Sequence, residues 1–496
     1  MKRVSRRGVL ESVLALTVAV AVVCLPGCRR SDEPQEAAPE IVEQPPPERP
    51  KPWPAGSEEA AVRIVDAARA DDRVMERLSQ LVDGIGARPG GSRAMERAVD
   101  WALATMKEDG LDSVSVEKVT VSVWERGQES ALLLGPGPPR PLAVLGLGRS
   151  VGTPAGGITA PLVVVSDFDD LERLGGQVSG KIVLFNFAMQ EQENMFASYE
   201  QAVQYRWRGA AAASAHGAEA VLVRSPTTRS LRTPHTGAMK PYDEGERPIP
   251  AAAVSIEDAE MLQRLYDRGE RPEVRLTMGA RTLPDRPSAN VIGEVRGREL
   301  PDELVVIGAH LDSWDVGSGA HDNGTGVVMT IEALRLLTSL DLKPRRSVRG
   351  VLFTNEERGL EGGLTYREKH LGELGRHVAA MESDSGGFAP RGFSFEGTDE
   401  AAERLQGLLE LFAPLGSLAL RRGGSGADIL PIVEEGVPGL GLIVDSTHYF
   451  DYHHTAADTF DKVEPSELKD ALAAFTLMTW LLAELPEPLP RSGAQR

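Results

Sequence analysis

Four short apolar runs, each leading into acids or histidines, set the pattern of this chain. The run at 305–310 ends in His310 and passes to Asp312, and the run at 348–354 is followed by Glu356 and Glu357. The run at 377–381 passes to Glu382 and Asp384, and that at 438–444 leads, after a loop, to His453 and His454. Unbroken apolar runs of this length predict strands buried on both faces. Their polar ends then fall on the edge where open α/β sheets bind ligands. Residues 327–337, rich in Ala, Leu, Glu and Met, predict a helix. Asp322 therefore stands just before a helix N-terminus, where an ionised carboxylate is favoured. An imidazole and a carboxylate delivered together could ligate a divalent metal, or could be no more than a helix cap beside a satisfied histidine.

Upstream, 58–68, 72–82 and 95–108 have helical spacing of apolar positions, and 114–123 alternates as a strand does. From about residue 126 the texture changes to Gly- and Pro-punctuated short strands, among them 162–165 and 181–185. A helix near 200–216 leads into a strand at 218–223, and 289–292 returns to the main sheet. At 496 residues the chain exceeds one ordinary core, so two domains are expected. A net charge of −19 argues against nucleic acid and against electrostatic attachment to anionic lipid. The only cysteines, Cys24 and Cys28, lie in an N-terminal segment with a basic head and a short apolar core, which reads as an export signal. Leu25-Pro26-Gly27-Cys28 resembles a bacterial lipobox, with Cys28 as the lipidated residue, and the paired Arg6-Arg7 resembles a twin-arginine signal. The Pro- and Glu-rich stretch 29–57 reads as an extended tether.

The order His-x-Asp, Asp, Glu-Glu, Asp, His resembles that of the zinc aminopeptidase family of co-catalytic two-zinc exopeptidases, and within it the carboxypeptidase Q branch. Trp124-Glu125-Arg126-Gly127, Gly146-Leu147-Gly148, Gly180-Lys181-Ile182-Val183, Pro234-His235-Thr236-Gly237, Met278-Gly279-Ala280 and the segment 310–317 extend the likeness over nearly the whole mature chain. The resemblance implies an α/β fold, a mixed sheet sandwiched by helices, with an inserted protease-associated-like, β-rich domain at 126–285. The catalytic domain would be split into 58–125 and 286–486, after a signal at 1–28 and before a tail at 487–496. It also implies two Zn2+ per chain. Asp322 would bridge them, with His310 and Asp384 completing one site and Glu357 and His454 the other. Asp312 would hold the free ring nitrogen of His310, and Glu356 would be the general base. His453 would donate to the oxyanion, with Tyr452 as competitor. The Asp322–Asn323 peptide would be cis.

Asp428, His448 and His235 are candidate substrate contacts: Asp428 is read as supporting the metal shell, receiving the substrate's amino group or simply forming a turn, His235 as overhanging the site or lying in an ordinary turn, and His448, in the loop before His453, as lining the pocket. His321 is expected to face the cleft without being a ligand, and His216, His370 and His377 to be solvated. The function implied is removal of the N-terminal residue from dipeptides or short peptides. The alternatives are a metal-dependent deacylase or carboxypeptidase-type amidohydrolase, and a non-catalytic binding ectodomain. Against the deacylase stands the position of the insertion, which precedes His310 rather than separating the ligand segments. A homodimer is implied, as is a lipid-anchored protein facing the periplasm or cell exterior, with no nucleic-acid partner.

Overall fold

A computed structural model describes residues 51–493, Pro52 and Pro136 excepted. The export signal, Cys28 and most of the proposed tether lie outside the described residues.

The buried runs form the middle of an eight-stranded mixed sheet. Its order is Ser113–Glu125, Arg281–Val295, Arg346–Phe353, Leu300–His310, His377–Glu382, Gly439–Val444, Pro390–Glu396 and Ala419–Arg422. Arg346–Phe353, Leu300–His310, His377–Glu382 and Gly439–Val444 run parallel, so their carboxyl ends share one edge. Residues 304–310 are buried without a break, as expected of a strand covered on both faces. On one face pack the helices Ser57–Ala70, Arg73–Val82, Arg93–Glu108, Thr325–Ser339 and Pro465–Glu484. Glu361–His370 and Leu430–Val433 pack on the other. Thr325–Ser339 is buried around most of its circumference, which explains why its sequence lacks a polar face.

A second eight-stranded sheet is built between two adjacent strands of the first, since Ser113–Glu125 and Arg281–Val295 pair antiparallel on either side of it in sequence. Its order is Arg140–Leu142, Glu129–Leu134, Glu273–Met278, Ile158–Val165, Ile182–Phe185, Ala220–Arg224, Ala251–Val254 and Val144–Gly146. Its four middle strands from Ile158–Val165 to Ala251–Val254 are parallel. The helix Met195–Ala215 covers one face and Ile256–Asp267 the other. Both sheets belong to one compact unit beginning at Lys51.

Trp314, four residues beyond the His310 strand, is buried in the second sheet's core. Gly148 makes room for it, because a Cβ there would lie 2.3 Å from the indole. Beside it Arg126 forms a two-pronged pair with Asp315, at 2.6 and 2.9 Å. The Gly-Leu-Gly and Trp-Asp motifs are thus two halves of one junction.

Two histidines depart from expectation. His377 is fully buried at the start of its strand rather than solvated. Its Nδ1 donates to the Glu373 carbonyl at 3.2 Å, and Nε2 accepts from the Tyr366 hydroxyl at 2.9 Å. His370 is half-buried between Glu117 and Glu373. The interior gathers the polar groups of these neighbours, so an imidazole is held by hydrogen bonds instead of water. His216 caps the C-terminus of its helix and pairs with Glu172 at 3.0 Å.

Burial lowers the His377 pKa to about 4. The unfolded chain, with an ordinary imidazole, binds the extra proton between about pH 6.5 and 4. The contribution is therefore present above pH 6.5 and lost as pH falls toward 4, by at most about 3 kcal/mol. Urea unfolding across this range should show stability declining on acidification, and less steeply in His377→Gln.

Candidate metal centre

The shared carboxyl edge places the ligand-type side chains around Asp322. Its Oδ1 lies 3.2 Å from His310 Nε2, which is also 3.3 Å from Asp384 Oδ1. Its Oδ2 lies 3.2 Å from His454 Nε2, which is in turn 3.2 Å from Glu357 Oε2. One carboxylate thus faces two donor groups, one oxygen to each. His310 and Asp384 come from the ends of neighbouring parallel strands, Glu357 from the turn after Phe353, and His454 from the loop after Val444. The Asp322–Asn323 peptide is cis.

The donor set fits zinc. On a tetrahedral ion with bonds of about 2.1 Å, neighbouring ligand atoms stand about 3.4 Å apart, close to the four separations above. Glu357 Oε1 and Asp384 Oδ1 are buried with no hydrogen-bond partner among the described residues. Burial and the Asp322 charge push the Glu357 carboxyl up to about 7. Burial would lower the His310 and His454 pKa values, but the surrounding carboxylates outweigh it and raise both well above the ordinary range. Acids crowded this closely call for positive charge, and a metal cation supplies it. His453 Nε2 also stands 3.8 Å from Asp322 Oδ2, and its ring stacks on His454 at 3.6 Å between centroids.

Neighbouring groups aim these donors. His310 Nδ1 donates to the main-chain carbonyl of Asp312 at 3.1 Å, while the Asp312 carboxylate stands 3.7 Å from the ring. That corrects the expected side-chain bond. The carboxylate instead accepts the Glu356 N–H at 3.0 Å, because the chain turns over the ring and presents its carbonyl first. Two further residues were given no role in the sequence reading. Asp458 accepts the N–H groups of His321 and Asp322 at 2.8 and 3.1 Å. Buried Arg88 donates to the carbonyls of Leu311, Ser318 and Gly319, holding both loops together. Asp458 lies in the quoted segment after His454, but nothing in its spacing announces the contact; Arg88 has no motif at all.

The second sheet closes the cleft. Thr236 accepts His454 Nδ1 on its carbonyl at 3.1 Å and donates its N–H to the His454 carbonyl at 3.0 Å. His235 beside it is buried, does not line the cleft, and is driven by burial to a pKa of about 3. The Pro-His-Thr-Gly loop thus reaches the site through Thr236 and its main chain, not through the histidine. His448 caps a short helix at the exposed surface and pairs with Asp451 at 2.9 Å, away from the cleft. Asp428 is buried beneath the site against Glu382, whose Oε2 accepts its N–H at 3.1 Å. It lines no part of the cleft. His321 is buried and stacks on Phe388 at 4.2 Å and Tyr452 at 5.7 Å, which takes both His321 and Tyr452 out of the cleft.

The cleft itself measures about 360 Å³. Asp322, Glu356, Glu357, Asp384 and His454 line it together with Arg149, Tyr199, Arg206, Trp207 and Arg358. Tyr449 and His453 also line it. Burial, with the nearby Asp322 and Asp384 charges, raises the Tyr449 pKa well above the usual phenol range, so its hydroxyl keeps its proton. Burial and His454 hold His453 neutral. A neighbouring hollow of about 370 Å³, lined by Phe196, Ser425 and Leu442 among others, meets the cleft at Asp384.

Residues 290–478 match the model of Peptidase family M28. Carboxypeptidase Q of Bos taurus is 40% identical over 431 residues, covering 87% of this chain and 89% of that protein. A peptidase M28 precursor from Shewanella amazonensis SB2B has a solved structure with a TM-score of 0.84 and 36% identity, covering 88% of this chain and 98% of its own. A zinc aminopeptidase from Bacillus subtilis has the same fold at a TM-score of 0.62 and 24% identity, covering 84% and 96% of the two chains.

Titrating zinc into metal-stripped protein is expected to saturate at two ions per chain. Asp384→Asn should hold close to one, and Asp322→Asn should lose tight binding at both positions, as read by calorimetry and elemental analysis.

Proposed function

The chain belongs to peptidase family M28, and within it we propose a two-zinc exopeptidase that removes the N-terminal residue from dipeptides or short peptides. The observation that carries this reading is the Asp322 carboxylate, set 3.2 Å from an imidazole on each side in a cleft that Glu356 also lines. His310 and Asp384 would hold one ion and Glu357 and His454 the other. When bound, the zinc ions act as Lewis acids and lower the pKa of water at the site.

The chain's own residues supply the rest. Glu356 takes the proton of the attacking water and passes it to the departing amine. Its N–H, fixed on Asp312, sets where that carboxylate points. Burial, opposed by His310 and reinforced by Asp384, raises its pKa well above the carboxylate range, and cations in the site lower it again toward a working base. The carbonyl oxygen that gains charge needs a donor besides metal. His453 Nε2 and the Tyr449 hydroxyl both face the cleft, and Tyr449 replaces Tyr452 as the competing donor. The free amino end of the substrate lies on the acidic Asp384 side.

The deacylase reading shares the metal chemistry and differs in what occupies that acidic side. Among the described residues no helix is long and apolar enough to cross a membrane. Lipid anchoring through Cys28, a protease-associated origin for the second sheet, and a homodimer remain parts of this proposal.

Glu356→Gln should lower kcat roughly 100- to 10,000-fold with zinc content unchanged. His453→Ala should reduce turnover far more than metal content, and equal loss of both would reject its donor role. Free-amine dipeptides should be cleaved in preference to their N-acetyl forms; cleavage confined to the acetylated series would move the assignment to the deacylase.

A further inference from the structure

The hollow that meets the cleft at Asp384 has a floor set by the register of the first sheet. Glu382 pairs with Gly441, Gly441 with Ser394, and Ser394 with Arg421. These four residues form one cross-strand row, and side chains in such a row point to the same face. All four line the hollow, which measures about 370 Å³. The helices Glu361–His370 and Leu430–Val433 pack on this face only as far out as the strand of Ala380. The outer strands Pro390–Glu396 and Ala419–Arg422 lie beyond that cover. The middle of the row is small: Gly441 has no side chain, and a Cβ there would lie 2.6 Å from the Ser394 hydroxyl oxygen. A trough is left between Asp384 and the sheet edge, where Arg421 stands. Three strand spacings of about 4.8 Å separate Glu382 from Arg421, about 14 Å in all.

The charged groups beside Arg421 have partners of their own. Glu382 Oε2 accepts the main-chain N–H groups of Asp428 and Ile429 at 3.1 and 3.0 Å. Glu396 accepts the Gly424 N–H at 2.9 Å and the Ser425 hydroxyl at 3.2 Å. Arg422 also borders the hollow, but one residue further along a strand its side chain turns to the opposite face. There it donates to the carbonyls of Gly397 and Thr398 at 2.6 and 3.2 Å and lies over the Phe395 ring. Arg421 is different. It is exposed, and among the described residues its side chain has no hydrogen bond and no acid within ion-pairing distance.

In the exopeptidase reading the substrate's amino end lies at Asp384. The first residue's side chain leaves the same Cα, so it starts at the mouth of this trough. We propose that the trough is the subsite for that side chain and that Arg421 selects an acidic one, so that the preferred substrates begin with glutamate, ahead of aspartate. This rests on the exopeptidase reading above. Glutamate carries its carboxylate one methylene further toward the sheet edge, and fork-like recognition of a carboxylate suits arginine better than lysine. An arginine on an edge strand can also serve only to keep that edge from pairing with another chain. That role is indifferent to the substrate, so substrate preference separates the two.

The test follows kcat/KM on the zinc-loaded enzyme for dipeptides that share a leaving serine and begin with Glu, Asp, Gln or Lys. Glu should exceed its neutral isostere Gln by roughly 5- to 20-fold, between the value of an exposed ion pair and that of a charge-assisted hydrogen bond. Asp should be intermediate and Lys lowest. In Arg421→Gln the Glu-to-Gln ratio should fall close to one, Arg421→Lys should keep part of it, and Arg421→Glu should reverse the order of Glu and Lys. Arg422→Gln should leave the ratio as in wild type. A wild-type ratio near one, a ratio that survives in Arg421→Gln, or one lost instead in Arg422→Gln overturns the proposal. If none of the dipeptides is turned over, the exopeptidase reading fails, and calorimetry with free glutamate and free glutamine still decides the subsite. Glutamate should bind more tightly and lose that advantage in Arg421→Gln; equal or undetectable binding of the two rejects it.

Discussion

Like charges repel, and this molecule gathers Asp322, Glu356, Glu357 and Asp384 in the lining of one cleft, with Asp312 buried just behind them. Without positive charge that grouping is costly, as the raised pKa values of Glu356 and Glu357 indicate. Metal cations bound there would offset that repulsion. The fold is arranged to make the crowding unavoidable. Four parallel strands end on one edge, and each end is continued by acid or imidazole.

A centre of this kind also needs its side chains held from behind. Asp458 fixes the backbone on either side of the His321–Asp322 peptide, Arg88 ties the loops that flank it, and the Asp312 carbonyl orients His310. The second sheet contributes as directly as the first. Thr236 grips His454 by both side chain and main chain, and the Trp314 junction keeps the two sheets in register. The first sheet carries the acids and imidazoles gathered around Asp322, while the second brings Arg149 and Arg206 to the same cleft.

Much of the first sheet was legible because it is written in unbroken apolar runs. The strands expected at 305–310, 348–354, 377–381 and 438–444 appear as Leu300–His310, Arg346–Phe353, His377–Glu382 and Gly439–Val444. The errors fall where a residue's role depends on what comes from elsewhere in the chain. His377 is expected in water because it falls on or beside the helix after Glu356-Glu357, yet Tyr366 and the Glu373 carbonyl receive it. His235 is put forward as part of a short polar loop that could overhang the site, His448 by its place in the loop before His453, and Asp428 by the likeness of segment 423–428 to one in the family. Burial, the surface and the layer beneath the cleft, respectively, claimed them.

The sequence by itself determined which segments become buried strands and that each ends in groups able to bind metal. Both are local properties, set by runs of side chains against water. Only the tertiary structure decided which histidine nitrogen meets which carboxylate, that the Glu356 N–H rests on the Asp312 carboxylate, and that Arg149 and Arg206 reach the same cleft. Such contacts join residues far apart in the chain, and their energy depends on distance and burial, which no local pattern encodes.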